Sequence, residues 1–278
     1  MSPESGAAPI EHRGRRLEKE IRIHAPAERV WEAWADSGKI SQWFVDRAEG
    51  FAETGATIQW FFDFFNFKMA YHVLRSERGK SYVIRWADAP AGREPGLFEV
   101  TLAHAGGETT LRLVESGFRE GAEWDEEYEG VSSGWAMSLA KLKEYAEHYY
   151  GQPRKTWMLL REAEYTAERN VPLQRTAEGL ARWLTRSGSV GAVGETCRLA
   201  LQSGETVSGR VLALSKSETC VSWDEVRGTL EFKAFAMGPK KVIGLWGSAW
   251  ADGAARLEAA KPAMEAALDR WAAALAGR

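Results

Sequence analysis

Over "RLEKEIRIHA" Leu17, Ile21 and Ile23 alternate with charged neighbours, which predicts a half-buried strand. Pro26 then opens a stretch in which Ala27, Val30, Trp31 and Trp34 recur at helical spacing. Asp36, Ser37 and Gly38 break the chain and offer a cap to a second short helix, whose apolar face is Ile40, Trp43 and Phe44. From Gly55 the period returns to two. Ile58, Trp60, Phe62 and Phe64 share one face of a strand, opposite Thr57, Gln59 and Asp63. Past Phe65 and Asn66 the apolar parity flips to Phe67, Met69, Tyr71 and Val73, so a turn or bulge belongs there. "SYVIRW", "GLFEVTLAHA" and "ETTLRLVESGF" complete six antiparallel strands. A long amphipathic helix with Val131, Trp135, Leu139, Leu142 and Ala146 on one face closes the unit.

The pattern then recurs. "LARWLTRSGSVGAVGETCRLAL" echoes "ISQWFVDRAEGFAETGATIQWFF", placing Trp183 where Trp43 stands and Gly194 where Gly55 stands. "GRVLALSKSETCVSW" echoes "YHVLRSERGKSYVIRW", and "ARLEAAKPAMEAALDRWAAAL" is a closing helix, with Pro262 expected to kink it or delay its start. The front of the copy, before Leu180, has lost the Pro-Ala-Glu-Arg opening, so the second unit reads as degenerate.

A length of 278 residues fits two such units. Composition is globular, and no stretch approaches the apolar length that spans a bilayer, which argues against a membrane protein. "MSPESGAAPIEHRGRR" has no apolar run ahead of its charges and reads as a disordered leader, with a cytoplasmic address as the default. Cys197 and Cys220 are too few for a disulfide framework or a four-ligand zinc site and read as reduced, half-buried strand residues. Net charge is −7 over residues 1–150 and +4 over 151–278, so the halves attract. No basic stripe is present, and the acidic run "EWDEEYEG" would repel a phosphate backbone, which excludes nucleic acid as a partner.

"IRIHAPAERVWEAWADSGKISQWF", "FEVTLAHAGGETTLRLVESGF" and "EGVSSGWAMSLAKLKEYAE" resemble homologues of the activator of the 90-kDa heat-shock protein (Hsp90) ATPase. These belong to the helix-grip superfamily of START-type lipid-binding proteins and birch-pollen allergens (SRPBCC). The resemblance implies an α+β chain of two helix-grip domains, each a curved antiparallel sheet wrapped around a long C-terminal helix. The expected boundaries are a leader at 1–15, a first domain at 16–150 and a degenerate second domain at 151–278. It favours a binding protein, without a cofactor, over an enzyme of the cyclase or hydrolase kind found sparsely in the superfamily. An apolar cavity in the first domain would take a small hydrophobic ligand; the alternative is a chaperone-associated or stress-related interaction module. "WFFDFFNF" departs from the family by being nearly solid aromatic, which would partly plug an open cavity.

Parity places Trp60, Phe62, Phe64, Tyr82, Trp86, Phe98 and Trp135 on the inner side, with Glu115 as the charged residue near the cavity. Core packing is the simpler role for most of these rings. Phe61 and Phe65 face outward and suggest a surface covered by the second domain, another subunit or a chaperone. Glu126 and Glu127 lie in a solvated acidic loop that would dock a basic partner. "GVSSG" matches a nucleophile-elbow pattern at Ser132, but no buried strand precedes it, so Ser132 and Ser133 read as a helix start. The five histidines make no zinc or haem pattern, and "GSVGAVG" lacks dinucleotide-site spacing.

Overall fold

The computed structural model describes residues 11–88 and 95–277. The first alternating stretch is β1 (Arg15–Ile23), burying Leu17 and Ile23. Pro26 ends it and leads into α1 (Ala27–Ala35), and the Asp36 carboxylate accepts from the Lys39 N–H at 2.9 Å to cap α2 (Ser37–Ile40). Then come β2 (Arg47–Gly50), β3 (Thr57–Phe62), β4 (Phe67–Glu77), β5 (Ser81–Trp86), β6 (Leu97–Ala105) and β7 (Glu108–Phe118). They form one antiparallel sheet in the order β1-β7-β6-β5-β4-β3-β2. This is one strand more than the periodicity counts, because the four-residue edge strand β2, "RAEG", has no alternation to reveal it. The flip of parity after Phe62 is a one-turn 3-10 helix, Asp63–Phe65, with Asn66 at φ 48° closing it.

The closing helix α3 (Asp125–Glu144) starts earlier than expected and runs into a π-helical turn, Tyr145–Tyr149. The acidic run is therefore helix rather than loop: Asp125, Glu126 and Glu127 fill its first turn, where the helix dipole favours negative charge.

The second unit repeats the order with β8 (Arg154–Glu162), α4 (Ala167–Arg175), α5 (Ala177–Ala181), β9 (Thr185–Ser187), β10 (Thr196–Leu201), β11 (Thr206–Leu214), β12 (Thr219–Trp223), β13 (Gly228–Met237), β14 (Lys240–Trp250) and α6 (Ala254–Leu275). Its sheet order, β8-β14-β13-β12-β11-β10-β9, is that of the first. The equivalence extends to single bonds. The Trp43 indole donates to the Ala33 carbonyl, and the Trp183 indole to the Leu173 carbonyl, both at 2.8 Å. Gly55 and Gly194 hold φ of 91° and 89°, and their N–H groups donate to Val73 and Val211. Both sheets shift register beside those valines, between Val73 and Arg75 and between Val211 and Ala213. An extra residue there bends each sheet around its helix.

The altered front of the copy still folds as strand and two short helices, so its loss of sequence pattern is not a loss of elements. α4 even contains Pro172. Pro262 likewise lies inside a continuous α6, on its exposed side, where water can satisfy the freed carbonyl.

The units meet through α3. One face of the helix carries Trp135, Leu139 and Leu142 into the core of the first sheet. On the opposite face Met137 and Ala140 pack with Ala213 and Cys220 on the outer side of the second sheet. Lys141 lies beside them, 3.0 Å from Glu231, and Lys233 lies 3.3 Å from Glu231 and 3.0 Å from Glu218; all four side chains are buried. Trp246 lies 4.3 Å beneath the Lys233 ammonium, and the Phe65 ring packs 6.0 Å from Trp246. Both cysteines are fully buried rather than half-buried.

Of the segment expected to be a disordered leader, residues 1–10 lie outside the described residues. The remainder is bonded to the sheet: His12 reaches Ser116 Oγ through Nδ1 at 2.9 Å and Glu99 through Nε2 at 2.8 Å.

Candidate functional site

The sheet and helix of the first unit converge on a cluster of rings. Trp135, from α3, lies 5.0 Å from Phe98, 5.9 Å from Trp34 and 5.2 Å from Phe44. Trp60 lies 4.7 Å from Tyr71, 6.2 Å from Phe98 and 5.5 Å from Phe44. Such contacts leave little room. The void lined by Trp34, Ile58, Trp60 and Tyr82 measures about 10 Å³, no more than one water needs. Where a partly plugged apolar cavity was expected, the rings of the two short helices close the grip from one side and Trp135 from the other.

The expected lining residues therefore divide. Trp60, Tyr82, Phe98 and Trp135 are buried core. Phe62 and Trp86 are half-buried at the edge of the cluster. Phe64 does not point inward: the 3-10 turn carries it out to 48% exposure. Phe67, expected to resume the inner face, is 50% exposed, because it starts β4 at the end of the sheet.

What remains is an aromatic mouth. Phe44 bridges Trp135 to Phe62, with rings 5.2 and 5.8 Å apart, and Phe62 stacks on Phe67 at 6.1 Å. Glu115 stands beside it as expected, half-buried, opposite Phe98 across the β6–β7 ladder. The Trp135 indole donates to its Oε2 at 2.5 Å. Tyr71, the cross-strand neighbour of Trp86, also senses this carboxylate: burial first, then the charge of Glu115, pushes its hydroxyl well above the ordinary range. The site can hold an apolar body against rings and accept a hydrogen bond at a carboxylate. Sequence parity placed Glu115 and Trp135, whereas Phe44 and Phe67 were missed as rim residues. Their apolar identity reads equally well as core.

The outward residues divide as well. Phe65 is covered by Trp246 of the second unit, and Phe61 lies under the Arg47 guanidinium, 3.7 Å from the ring centre. The acidic start of α3 is partly neutralised from within. Arg15 reaches Asp125 at 2.5 Å and Lys216 of the second unit reaches Glu129 at 2.5 Å. Glu126 is exposed and Glu127 half-buried. Ser132 sits inside α3 rather than at a strand-to-helix turn, so it has none of the geometry of a nucleophile elbow. Among the described residues no group of three or more His, Cys, Asp or Glu could hold a metal ion, and no helix is long and apolar enough to cross a membrane.

Comparison with known proteins adds the following. Solved structures similar to this chain include the Aha1 dimer from Colwellia psychrerythraea, at 19% identity over 50% of this chain and 100% of that one, with a TM-score of 0.45. CalU16 from Micromonospora echinospora is 23% identical over 48% of this chain and 76% of that one, with a TM-score of 0.39. The di-domain ARO/CYC BexL from the BE-7585A biosynthetic pathway is 10% identical over 95% of this chain and 100% of that one, with a TM-score of 0.46. No curated protein matches significantly. Residues 24–147 match the family model described as activator of Hsp90 ATPase homolog 1-like protein, a span running from the end of β1 through α3. That stretch of the chain, the first of its two units, is thus similar to the activator of Hsp90 ATPase homolog 1-like family.

Proposed function

We propose that the protein is a non-catalytic binding protein, and that the aromatic mouth of its first unit takes a small apolar molecule carrying a hydrogen-bond donor. The observation that carries this reading is the half-buried Glu115, held by the Trp135 indole beside the Phe44–Phe62–Phe67 rings. A carboxylate has about four acceptor positions, so the indole bond does not by itself exclude a ligand donor. The filled interior confines the ligand to the rim unless Phe44 and Phe62 swing aside. Native mass spectrometry of freshly purified protein, followed by thermal shift with apolar phenols, anilines and alcohols, tests it. Ligand binding raises the melting temperature by mass action. The rise should shrink in Glu115→Gln and Phe67→Ala; no shift with any member of the panel overturns the proposal.

A second reading, a chaperone-associated interaction module, is supported by the exposed Phe64 and Phe67 on a unit of this family. It expects Phe64→Ser/Phe67→Ser to abolish capture of Hsp90. Capture that is absent in the parent chain, or unchanged in the variant, rejects it.

A further inference from the structure

A further cleft lies outside the first unit. It opens on the flank of the second, between the β10–β11 hairpin, the 3-10 turn after β12 and the first turns of α6, with a volume of about 460 Å³. This volume falls in the range of small-molecule sites. It lies apart from the interior between sheet and helix, which is filled by Trp183, Phe232 and Trp271. Arg198 lines the cleft from a position that alternates with the inward Cys197 and Leu199, so it belongs to the opposite face of β10.

The cleft has an apolar floor and separated charges. Trp223, Val226 and Ala260 form the floor, and the Trp223 indole is committed to the Thr206 carbonyl at 3.0 Å. Arg198 and Glu205 both line the cleft, and neither side chain has a hydrogen bond or ion pair with another described residue. Arg256 spends one Nη1 bond, 2.9 Å long, on the Glu225 carbonyl, which leaves most of its donors open. The Glu225 carboxylate is occupied by the N–H and hydroxyl of Ser208. Two guanidinium groups with open donors thus face the same space as the Glu205 carboxylate, which has no partner among the described residues, over an apolar surface.

We infer that this cleft binds a small zwitterion with an apolar body, of the size and charge pattern of an aromatic amino acid. Arg198 and Arg256 take the carboxylate, Glu205 takes the ammonium group, and the ring lies against the Trp223–Val226–Ala260 floor. An isolated anion fits less well, because Glu205 and Glu225 offset the two arginines in the summed field.

Isothermal titration of the full chain tests this with L-phenylalanine and L-tryptophan as probes, against indole-3-acetate and tryptamine, which each lack one of the two charges. The zwitterions should bind, with affinity falling about tenfold or more in Arg198→Gln and in Glu205→Gln, as loss of a charge-assisted bond implies. Phe67→Ala, at the other mouth, should leave it unchanged. No saturable heat with either amino acid overturns the inference. So does equal binding of indole-3-acetate with no effect of Glu205→Gln, or loss of binding in Phe67→Ala.

Discussion

Lys141 on α3 and Glu231 on β13 form an ion pair of 3.0 Å across the contact between the two units, with side-chain exposures of 6% and 1%. Removing one partner of a buried pair strands the other charge. Lys141→Met should therefore cost about 3–5 kcal/mol, and the double variant Lys141→Met/Glu231→Met should recover part of it. Urea denaturation of the two singles and the double completes the cycle; additive losses would mean that the pair is not coupled.

Acid dependence follows from the same cluster. Burial pushes the Glu231 carboxyl up, but the ammonium groups of Lys141 and Lys233 outweigh it and hold it below the ordinary 4.5. Such a group adds stability that is complete above 4.5 and is lost as pH falls through its folded value. Glu218 has the opposite sign. Burial raises it in spite of Lys233, so its cost is full above its folded value and is relieved as pH falls towards 4.5. Denaturation between about pH 3 and 7 should show Glu231→Gln flattening the acid limb below 4.5 and Glu218→Gln removing a gain above it.

The two thiols should be silent in the folded protein. Burial raises Cys197 to about 11 and lifts Cys220 well above the ordinary thiol, so little thiolate exists at neutral pH. Ellman's reagent at about pH 8 should label neither until denaturant is added, and then both; one fast thiol in the native state would contradict the packing.

Steric fit at the turn before α6 leaves no room for a methyl group. A Cβ on Gly253 would stand 1.7 Å from the Val226 carbonyl oxygen, and one on Gly228 would stand 1.8 Å from that of Ser248. Gly253→Ala should destabilise by about 3 kcal/mol or more or fail to accumulate as soluble protein, whereas Gly130→Ala, with open space around it, should not.

His12 fastens the chain across the back of the first sheet through Ser116 and Glu99. His12→Ala should release the backbone of residues 11–14 to faster hydrogen exchange and cost about 1–2 kcal/mol, with exchange in α3 unchanged.

Much of this architecture was legible in the sequence. Period-two runs ending in turn residues mark the strands, and the Trp43/Trp183 and Gly55/Gly194 echoes mark the duplication down to equivalent hydrogen bonds. The illegible parts have common physical causes. Phe64 breaks the alternation because a 3-10 turn advances side chains at a different angle from a strand, and an unbroken run of aromatics gives no polar residue to signal the change. Glu231 and Lys233 look like solvent-facing residues, since a charge alternating with Leu230, Phe232 and Ala234 is what an exposed sheet face shows, and Lys141 looks like the polar face of an amphipathic helix. Only the second stripe on α3, Met137 and Ala140, hinted that this face was covered. The cleft at Arg198 draws its residues from β10, β11, β12, the 3-10 turn after it and α6, and no local spacing brings them together.

The two closing helices do not share the same freedom to vary. α6 turns Arg256, Glu258, Glu265 and Asp269 to solvent and serves one sheet, so half of its circumference can change at little cost. α3 is held on both sides, with every residue from Met137 to Leu142 buried. A deep mutational scan should find the first helix intolerant around its whole circumference in that stretch and the second tolerant along its outer face, even though the two follow one pattern. Detached from the second unit, α3 would present Met137, Ala140 and an unpaired Lys141 to water, so the first copy is no longer a domain that can be moved elsewhere unchanged.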